Sequence, residues 1–474
     1  MPRGHGAHHL LLPRRGGRLL QLAAAAAAAV LLLALRVLLP AAPPWEPAAA
    51  PASLLRAAVA AHPPPASHAR PCADHLALSL RRLRAALASL GSGDAPAALH
   101  LASASLQCQY DCAHLLAIPA FRSHLLTSRF LGSLAPRTLT FAPKPSSSAS
   151  AAAAFPARIR ADATVCKQPP SAKPCDYSTV QAAVNAAPNY TAGHFVITVA
   201  AGIYKENVVI PYEKTNILLS GEGMGATVVT ASRSVGIDGL GTYGTATVAV
   251  IGDGFRARDM TFENSAGAGA HQAVAFRSDS DRSVLENVEF RGHQDTLYAR
   301  TMRQLYRRCS IIGTVDFIFG NAAAMFEECV IKTVPRAEGS RKNVRNVIAA
   351  NGRIDPGQTT GFVFRNCTVD GSKEFMELFQ AKPRSYKLYL GRPWKEYART
   401  VYVSCYFGTV VRPEGWLPWR GDFALRKLYY GEFDSRGPGS NSTARVEWSS
   451  QISEQLVRFY SAENFIQGHE WIAY

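Results

Sequence analysis

Short, strand-like segments dominate the chain from about Asp162 onward. Stretches rich in Val, Ile and Phe alternate there with Gly, Asn and Asp turns, and long helical periodicity is scarce. A loose repeat has anchors at Asp259, Asn287, Cys309, Cys329, Cys367 and Cys405, with steps of 28, 22, 20, 38 and 38 residues. Such variable steps predict a parallel β-solenoid with inserted loops. A β-sandwich is the alternative, but regular hairpin turns at short spacing are few.

Two helical stretches precede this region. The segment "HLALSLRRLRAALASL" places a row of leucines on one predicted helical face: Leu76, Leu80, Leu83, Leu87 and Leu90. A second stretch, from about Ala97 to Leu116, carries Cys108 and Cys112 one turn apart. Cys72 could therefore be linked to the second helix through either of these cysteines.

The N-terminus has a basic flank followed by the apolar run "LLQLAAAAAAAVLLLAL". This order is typical of a secretory signal peptide, and the run is also close to the length of a membrane-spanning signal-anchor. The predicted organisation is a signal peptide or signal-anchor over 1–40, a Pro/Ala-rich linker over 41–70, a helical segment over 71–135, a Ser/Ala-rich linker over 136–161, and the solenoid over 162–474.

Most of the positive charge lies outside the predicted solenoid. Residues 1–160 carry 16 Lys and Arg against 4 Asp and Glu, whereas the rest carries 35 against 31. No zinc-finger or RNA-binding motif accompanies this charge, so we predict no nucleic-acid partner. An exported chain with nine cysteines is expected to form disulfides, and the odd number leaves at least one thiol outside them. The three glycosylation sequons are at Asn189, Asn366 and Asn441, and Asn366 is expected to be unmodified because it lies in a predicted strand.

Two aspartates stand in apolar segments of the predicted solenoid. Asp295 lies in "HQDTLY" and Asp316 lies in "TVDFIFG", where a carboxylate is costly to bury unless it is paired or hydrogen-bonded. They are 21 residues apart, which is one predicted coil, so we expect them at equivalent positions of adjacent coils. Neighbouring strands are about 4.8 Å apart. One carboxyl group should then be protonated, unless a cation separates the two.

Other side chains can complete a site around this pair. Gln272 lies about one coil before Gln294, and their amide groups could stabilise an oxyanion or could form a structural amide ladder. Arg392 could hold one carboxylate ionised through a bidentate bond. Aromatic residues near these positions could pack on sugar rings or lie in the core. The aspartates themselves could instead be structural or calcium-binding residues.

Five segments of the sequence resemble the motifs of a known protein family. The motifs "GIYKENVVI", "HQAVAFR", "GHQDTLY", "GTVDFIFGNA" and "YLGRPWKEYARTVYV" follow one another at matching spacing. They resemble the signature regions of plant pectin methylesterases, and the similarity runs from about Asp162 to the C-terminal end. The resemblance implies a right-handed parallel β-helix that hydrolyses galacturonate methyl esters of pectin to pectate and methanol. It also implies that no metal and no cofactor take part.

The resemblance assigns a role to each candidate residue. It implies that Asp316 is the nucleophile and that Asp295 is the general acid and later the base. It also implies that Gln272 and Gln294 stabilise the oxyanion, while Arg392 holds the nucleophile. The implied substrate contacts are Thr242, Gln272, Tyr298, Arg392, Trp394 and Trp416. One departure from the family pattern is His293, where the family usually has Tyr.

The helical segment resembles the later part of the pectin methylesterase inhibitor domain, over Cys72 to about Leu131. Cys72 and Cys112 match one of its disulfides, but the first helices of that domain are missing, which indicates a truncated pro-region. Cys329 has two candidate partners, Cys309 and Cys367, and the shorter loop favours Cys309. The resemblance further implies a secreted, cell-wall monomer with pectin as substrate and a proteinaceous inhibitor as partner.

Two other functions fit parts of the sequence. A glycosidase or lyase on the same solenoid would also use carboxylates, although Gln272, Gln294 and Arg392 favour acyl transfer. A non-catalytic pectin-binding or inhibitory protein is the third hypothesis, and the intact matches at every catalytic position count against it.

Overall fold

The computed structural model describes residues 66–115, 160–167, 175–336 and 344–472. These residues fall into two compact units, which divide between Phe141 and Ala142. The predicted signal and most of the predicted linkers lie outside the described residues. Within the described ranges, none of the helices is both long enough and apolar enough to cross a membrane.

The N-terminal unit contains a pair of helices, α1 (Ala66–Gly91) and α2 (Ala95–Leu115). Cys72 on α1 forms a disulfide with Cys112 on α2, which confirms the predicted pairing and excludes Cys108 as the partner of Cys72.

The five leucines of α1 lie on one helical face as predicted, but the buried face of the helix is a different one. The buried positions follow the disulfide at helical spacing instead: Cys72, His75, Leu78, Ser79, Arg82, Leu83 and Ala86. Among the five leucines of the predicted face, Leu83 alone is buried. Ser79 is buried because its hydroxyl forms a 2.7 Å hydrogen bond with that of Ser105 on α2. The disulfide and this polar contact fix the rotation of the helix, and neither is visible in hydrophobic periodicity.

The second unit consists mainly of short strands. In chain order they are β1 (Ala163–Val165), β2 (Phe195–Val199), β3 (Gly202–Lys205), β4 (Val208–Ile210), β5 (Ile217–Ser220), β6 (Thr227–Ala231), β7 (Val248–Val250), β8 (Arg256–Asn264), β9 (Phe276–Ser278), β10 (Ser283–Arg291), β11 (Leu297–Ala299), β12 (Arg303–Arg307), β13 (Ser310–Gly313), β14 (Val315–Gly320), β15 (Ala323–Glu327), β16 (Val330–Thr333), β17 (Val344–Asn351), β18 (Gly361–Arg365), β19 (Thr368–Gly371), β20 (Tyr386–Gly391), β21 (Arg399–Val403), β22 (Tyr406–Phe407), β23 (Tyr429–Phe433) and β24 (Ser450–Gln451). Five short helices accompany them: α3 (Val180–Ala186), α4 (Val235–Asp238), α5 (Lys373–Ala381), α6 (Glu454–Val457) and α7 (Ala462–Phe465).

Every pairing between these strands is parallel, and the strands form three faces of a β-helix. The first face includes β2, β5, β12, β15, β18, β21 and β23, and the second includes β3, β6, β13, β16, β19 and β22. The long strands β8 and β10 cross the corner and belong to both faces. The third face is a seven-stranded sheet in the order β4, β7, β9, β11, β14, β17, β20. The predicted parallel solenoid is therefore confirmed.

The corner between the first two faces explains the repeat seen in the sequence. One residue of each coil adopts a positive φ there: Asp259, Asn287, Arg308, Glu328, Asn366, Ser404 and Asp434. Asp259 and Asn287 are thus corner residues, whereas the cysteine anchors lie one position later. Asn366 is exposed at this corner rather than paired within a strand, so the reason for expecting it to be unmodified was wrong.

The core of the β-helix stacks like residues from successive coils. The rings of Tyr306, Phe326, Phe364 and Tyr402 follow one another with centroids 4.8, 4.6 and 4.4 Å apart. The four corner cysteines form a second row inside the same core: Cys309, Cys329, Cys367 and Cys405.

None of these four cysteines is in a disulfide, so the predicted Cys309–Cys329 bond is wrong. Each cysteine directly precedes a strand of the second face, and the parallel register of these strands keeps neighbouring cysteines about 4.8 Å apart with their side chains pointing the same way. A disulfide needs the two Cβ atoms at about 3.8 Å. The thiols of Cys309 and Cys329 donate instead to backbone carbonyl oxygens at 3.4 Å. A second disulfide, Cys166–Cys175, was not predicted.

The cysteine row gives a testable expectation. The thiols of Cys309, Cys329, Cys367 and Cys405 should react with an aromatic disulfide reagent only after the protein is unfolded, because each side chain is at most 1 % exposed. Burial also raises the pKa of Cys329, Cys367 and Cys405, so the reactive thiolate is disfavoured in the folded state. Thiol titration with and without denaturant measures how many of these cysteines react in the folded and in the unfolded protein. Rapid reaction of the folded protein at these positions would contradict the buried row.

Candidate active site

Asp295 and Asp316 occupy matching places on adjacent coils of the third face. Leu297 pairs with Ile318, and the amide of Asp295 donates to the carbonyl oxygen of Val315 at 3.2 Å. The 21-residue spacing therefore corresponds to one coil, as predicted. Both aspartates have left-handed backbones, with φ of 64° and 52°. Asp tolerates this conformation better than most residues, and such strain is often found at functional sites.

Arg392 binds one of the two carboxylates. It follows β20, and its backbone amide donates to the carbonyl oxygen of Ala349 on β17 at 2.9 Å. Its side chain reaches Asp316 with Nε at 2.7 Å from Oδ1 and Nη2 at 2.5 Å from Oδ2. Asp316 is only 6 % exposed, so this bidentate pair compensates for the lost hydration of its charge.

Among the described residues, Asp295 forms no salt bridge like the one between Arg392 and Asp316. Burial raises its pKa well above the usual range, the carboxylate of Asp316 raises it further, and Arg392 opposes both effects. The two carboxyl groups are thus unequal, with a buried acid beside an ion-paired carboxylate. Among the described residues, no group of three or more His, Cys, Asp or Glu could hold a metal ion, so the calcium alternative gains no support.

Gln272 and Gln294 lie side by side on adjacent coils. They form an isolated parallel bridge, and the amide of Ala273 donates to the carbonyl oxygen of Gln294 at 3.1 Å. Both glutamines are partly exposed. Gln294 directly precedes Asp295. This arrangement brings together all five of the predicted catalytic residues.

Aromatic residues line the outer surface of the third face next to the aspartates. The rings of Tyr298 and Phe319 stack with centroids 4.1 Å apart, and Trp394 meets Phe319 edge-on at 5.9 Å. Tyr298 is buried by this packing, whereas Trp394 and Thr242 are partly exposed. Trp394 and Thr242 therefore remain suitable for the predicted substrate contact, while Tyr298 mainly supports its neighbours.

The predicted substrate contact of Trp416 is contradicted by its burial. Its side chain is 1 % exposed, and its indole N–H donates to Glu432 Oε1 at 3.0 Å. Trp419 is 37 % exposed instead, and the Arg392 guanidinium lies over its ring at 4.2 Å. The local sequence carried a signal for this difference. Trp416 lies in the apolar "GWL", whereas Trp419 lies in the turn-like "PWRG".

His293 is partly buried just before Gln294. Its carbonyl oxygen accepts from the amide of Thr314 at 2.9 Å, while its Nδ1 atom is buried and has no hydrogen-bond partner within the described part of the chain. Burial lowers its pKa, so the neutral imidazole is favoured.

The fold and the site together define a parallel β-helix protein with two adjacent carboxyl groups in unequal environments on the third face. The family model named Pectinesterase matches residues 162–469, and the chain belongs to the pectinesterase family. "Probable pectinesterase/pectinesterase inhibitor 64" of Arabidopsis thaliana is 54 % identical over 320 residues, which are 67 % of this chain and 53 % of that protein. "Pectinesterase/pectinesterase inhibitor PPE8B" of Prunus persica is 46 % identical over 63 % of this chain and 56 % of that protein. The chain thus spans about half the length of these relatives.

Solved structures give the same picture of the fold. The pectin methylesterase from carrot has a TM-score of 0.62 and 40 % identity, covering 67 % of this chain and 96 % of that one. The pectin methylesterase from Aspergillus niger has a TM-score of 0.53 and 28 % identity, covering 65 % of this chain and 94 % of that one.

Proposed function

We propose that the protein is a pectinesterase that hydrolyses galacturonate methyl esters in cell-wall pectin. The observation that carries this proposal is the unequal pair of carboxyl groups, with Asp316 bound by Arg392 and Asp295 buried beside it. An ionised nucleophile next to a neutral acid is what ester cleavage through an acyl-enzyme requires. Membership of the pectinesterase family supports the same reaction.

In the first half of the proposed reaction, an oxygen of Asp316 attacks the carbonyl carbon of the methyl ester. The side-chain amides of Gln272 and Gln294 donate to the oxyanion that forms. Asp295 donates its proton to the methoxy oxygen, the bond between that oxygen and the carbonyl carbon breaks, and methanol leaves. The galacturonate acyl group is then bound to Asp316.

In the second half, Asp295 is ionised and accepts a proton from water. The hydroxide attacks the acyl carbon, and the bond to Asp316 breaks to release the pectate carboxyl group. Arg392 again pairs with the free carboxylate of Asp316. The raised pKa of Asp295 suits both steps. It favours the protonated form that the first step needs, and it makes the ionised form a stronger base for the second step.

The other features of the proposal concern location and partners. We infer a secreted enzyme of the cell wall that acts as a monomer on methyl-esterified homogalacturonan and binds a proteinaceous inhibitor. The helical unit is proposed to be a truncated, inhibitor-like pro-region, in keeping with the names of the relatives. No cofactor is part of the proposed reaction.

The products formed from highly methylated pectin test this function. The proposal expects methanol and new carboxyl groups with unchanged chain length. New reducing ends would instead indicate a glycosidase, and unsaturated ends would indicate a lyase. Binding without any product would support a non-catalytic pectin-binding protein. Each of these last three results would overturn the proposed esterase.

Replacing Trp419 with alanine should weaken substrate binding. Its exposed ring lies beside Arg392, where it can pack on a sugar, so we expect the KM for pectin to rise about tenfold. Steady-state methanol release measures the effect. Tyr406→Ala is a matched control, because Tyr406 is also 37 % exposed but lies on the second face. An equal change in both variants would refute a specific role for Trp419.

A further inference from the structure

A buried ion pair lies outside the set of residues used in the proposed reaction. Glu432 on β23 and Arg445 have side chains that are 4 % and 3 % exposed. Arg445 Nε donates to Glu432 Oε1 at 2.9 Å, and Nη2 donates to Oε2 at 3.1 Å. Burying two charges is costly even when they are paired, so the position of this pair calls for a structural reason.

The ion pair fixes a segment that we call the strap, residues 412–419. Arg445 Nη1 donates to the carbonyl oxygens of Pro413 at 2.9 Å and Arg412 at 3.3 Å. Glu432 accepts the indole N–H of Trp416. Gly415 has a φ of 71°, and a Cβ atom there would lie 2.5 Å from Cδ of Arg445. The two charged side chains therefore bind the strap at several points along its length.

The strap in turn covers β20, the edge strand of the third face. The amide of Leu390 donates to the carbonyl oxygen of Gly415 at 2.8 Å, and the amide of Leu417 donates to that of Gly391 at 3.0 Å. Trp416 forms an isolated parallel bridge with Gly391. The strap is thus hydrogen-bonded to the last two residues of β20, immediately before Arg392.

Two tryptophans of the strap hold Arg392 at its backbone and at its guanidinium group. A Cβ atom on Gly391 would lie 3.1 Å from the ring of Trp416, so the backbone before Arg392 packs directly on this ring. The ring of Trp419 lies against the guanidinium at 4.2 Å. A shift of the strap would move both contacts, and with them the group that binds Asp316.

We propose that Glu432 and Arg445 are positioning residues that act through the strap to hold Arg392 in register with Asp316. This inference rests on the proposed function, in which the guanidinium binds and orients the carboxylate of the nucleophile. A misplacement of about 1 Å in such a site can lower the rate about 100-fold. The ion pair therefore influences a reaction in which neither of its members takes part.

The test uses two variants of the full chain, the first of which retains the size of the side chain. Glu432→Gln removes the charge that binds Arg445, and Trp416→Phe keeps an aromatic ring but removes the N–H that donates to Glu432. We expect kcat for methanol release to fall about 10- to 100-fold in Glu432→Gln and less in Trp416→Phe.

Asp281→Asn is the matched control, since Asp281 forms a buried ion pair with Arg303 away from the strap. It should reduce thermal stability without changing kcat. Hydrogen exchange of residues 388–394 gives a readout that does not depend on activity. These amides should exchange faster in Glu432→Gln and at the wild-type rate in Asp281→Asn.

The outcomes separate this inference from the proposed function. A wild-type protein that releases no methanol refutes the function, and hydrogen exchange then decides whether the ion pair positions Arg392. A folded Glu432→Gln variant with wild-type kcat and wild-type hydrogen exchange would overturn the inference. If Glu432→Gln does not fold, the same unchanged values in Trp416→Phe would overturn it.

Discussion

Asparagine in place of Asp316 is expected to abolish methanol release from methylated pectin, with kcat lower by at least about 10⁴-fold. The amide is uncharged and is not a nucleophile, so no acyl-enzyme can form. Arg392 would still find an oxygen acceptor at this position, and the fold should persist. Initial rates of methanol release, together with circular dichroism to confirm folding, measure the effect.

The matched control for this variant is again Asp281→Asn, which replaces another buried, arginine-paired carboxylate. Its rate should equal that of the wild type. Full methanol release by a folded Asp316→Asn variant would mean that a different group attacks the ester. The assignment of Asp316 as the nucleophile would then have to be abandoned.

Asparagine in place of Asp295 is expected to lower kcat about 10²- to 10⁴-fold, because methanol would leave without a proton donor. The reaction needs the protonated form of Asp295 at the first step, so the wild-type rate should fall as pH rises through its raised pKa. This alkaline limb should be missing from the residual activity of Asp295→Asn. A pH–rate profile of the variant that keeps the same limb would assign it to another group.

The same variant should be more stable than the wild type at neutral pH. The folded state raises the pKa of Asp295 through burial and the charge of Asp316, whereas an unfolded aspartate has a pKa of about 3.9. The contribution of the Asp295 carboxyl group to the free energy of unfolding is therefore complete below about pH 3.9. It is lost as pH rises through the pKa of the folded state. Asp295→Asn should thus raise Tm more at about pH 7 than at about pH 4. Equal shifts at both pH values would contradict the raised pKa.

The sequence predicted the solenoid and the pairing of the aspartates for a clear physical reason. In a parallel β-helix, residues one coil apart become neighbours, so sequence spacing translates directly into position. Asp295 and Asp316 stand out because charged residues are rare in apolar strands. Their 21-residue gap matched the coil length, and the register of Leu297 with Ile318 agrees with it.

Other features depended on contacts that spacing does not specify. The role of Trp416 was misjudged because its partners, Glu432 and the ring of Tyr430, come from a strand further along the chain, and the apolar "GWL" around it was given too little weight. The cysteine row was read as a disulfide because sequence spacing does not show that stacked side chains stay parallel. The disulfide of α1 and the contact of Ser79 with Ser105 turned a different face of that helix inward.

The most direct test of the central claim is a titration of the two carboxyl groups. Carbon-13 NMR of the protein labelled at aspartate carboxyl carbons should reveal a group that stays protonated well above the usual pKa of aspartate. That signal should be missing in Asp295→Asn, and its pKa should fall in Asp316→Asn, because a neighbouring negative charge is lost. An Asp295 carboxyl that titrates in the ordinary range, or whose pKa does not respond to Asp316→Asn, would contradict the account.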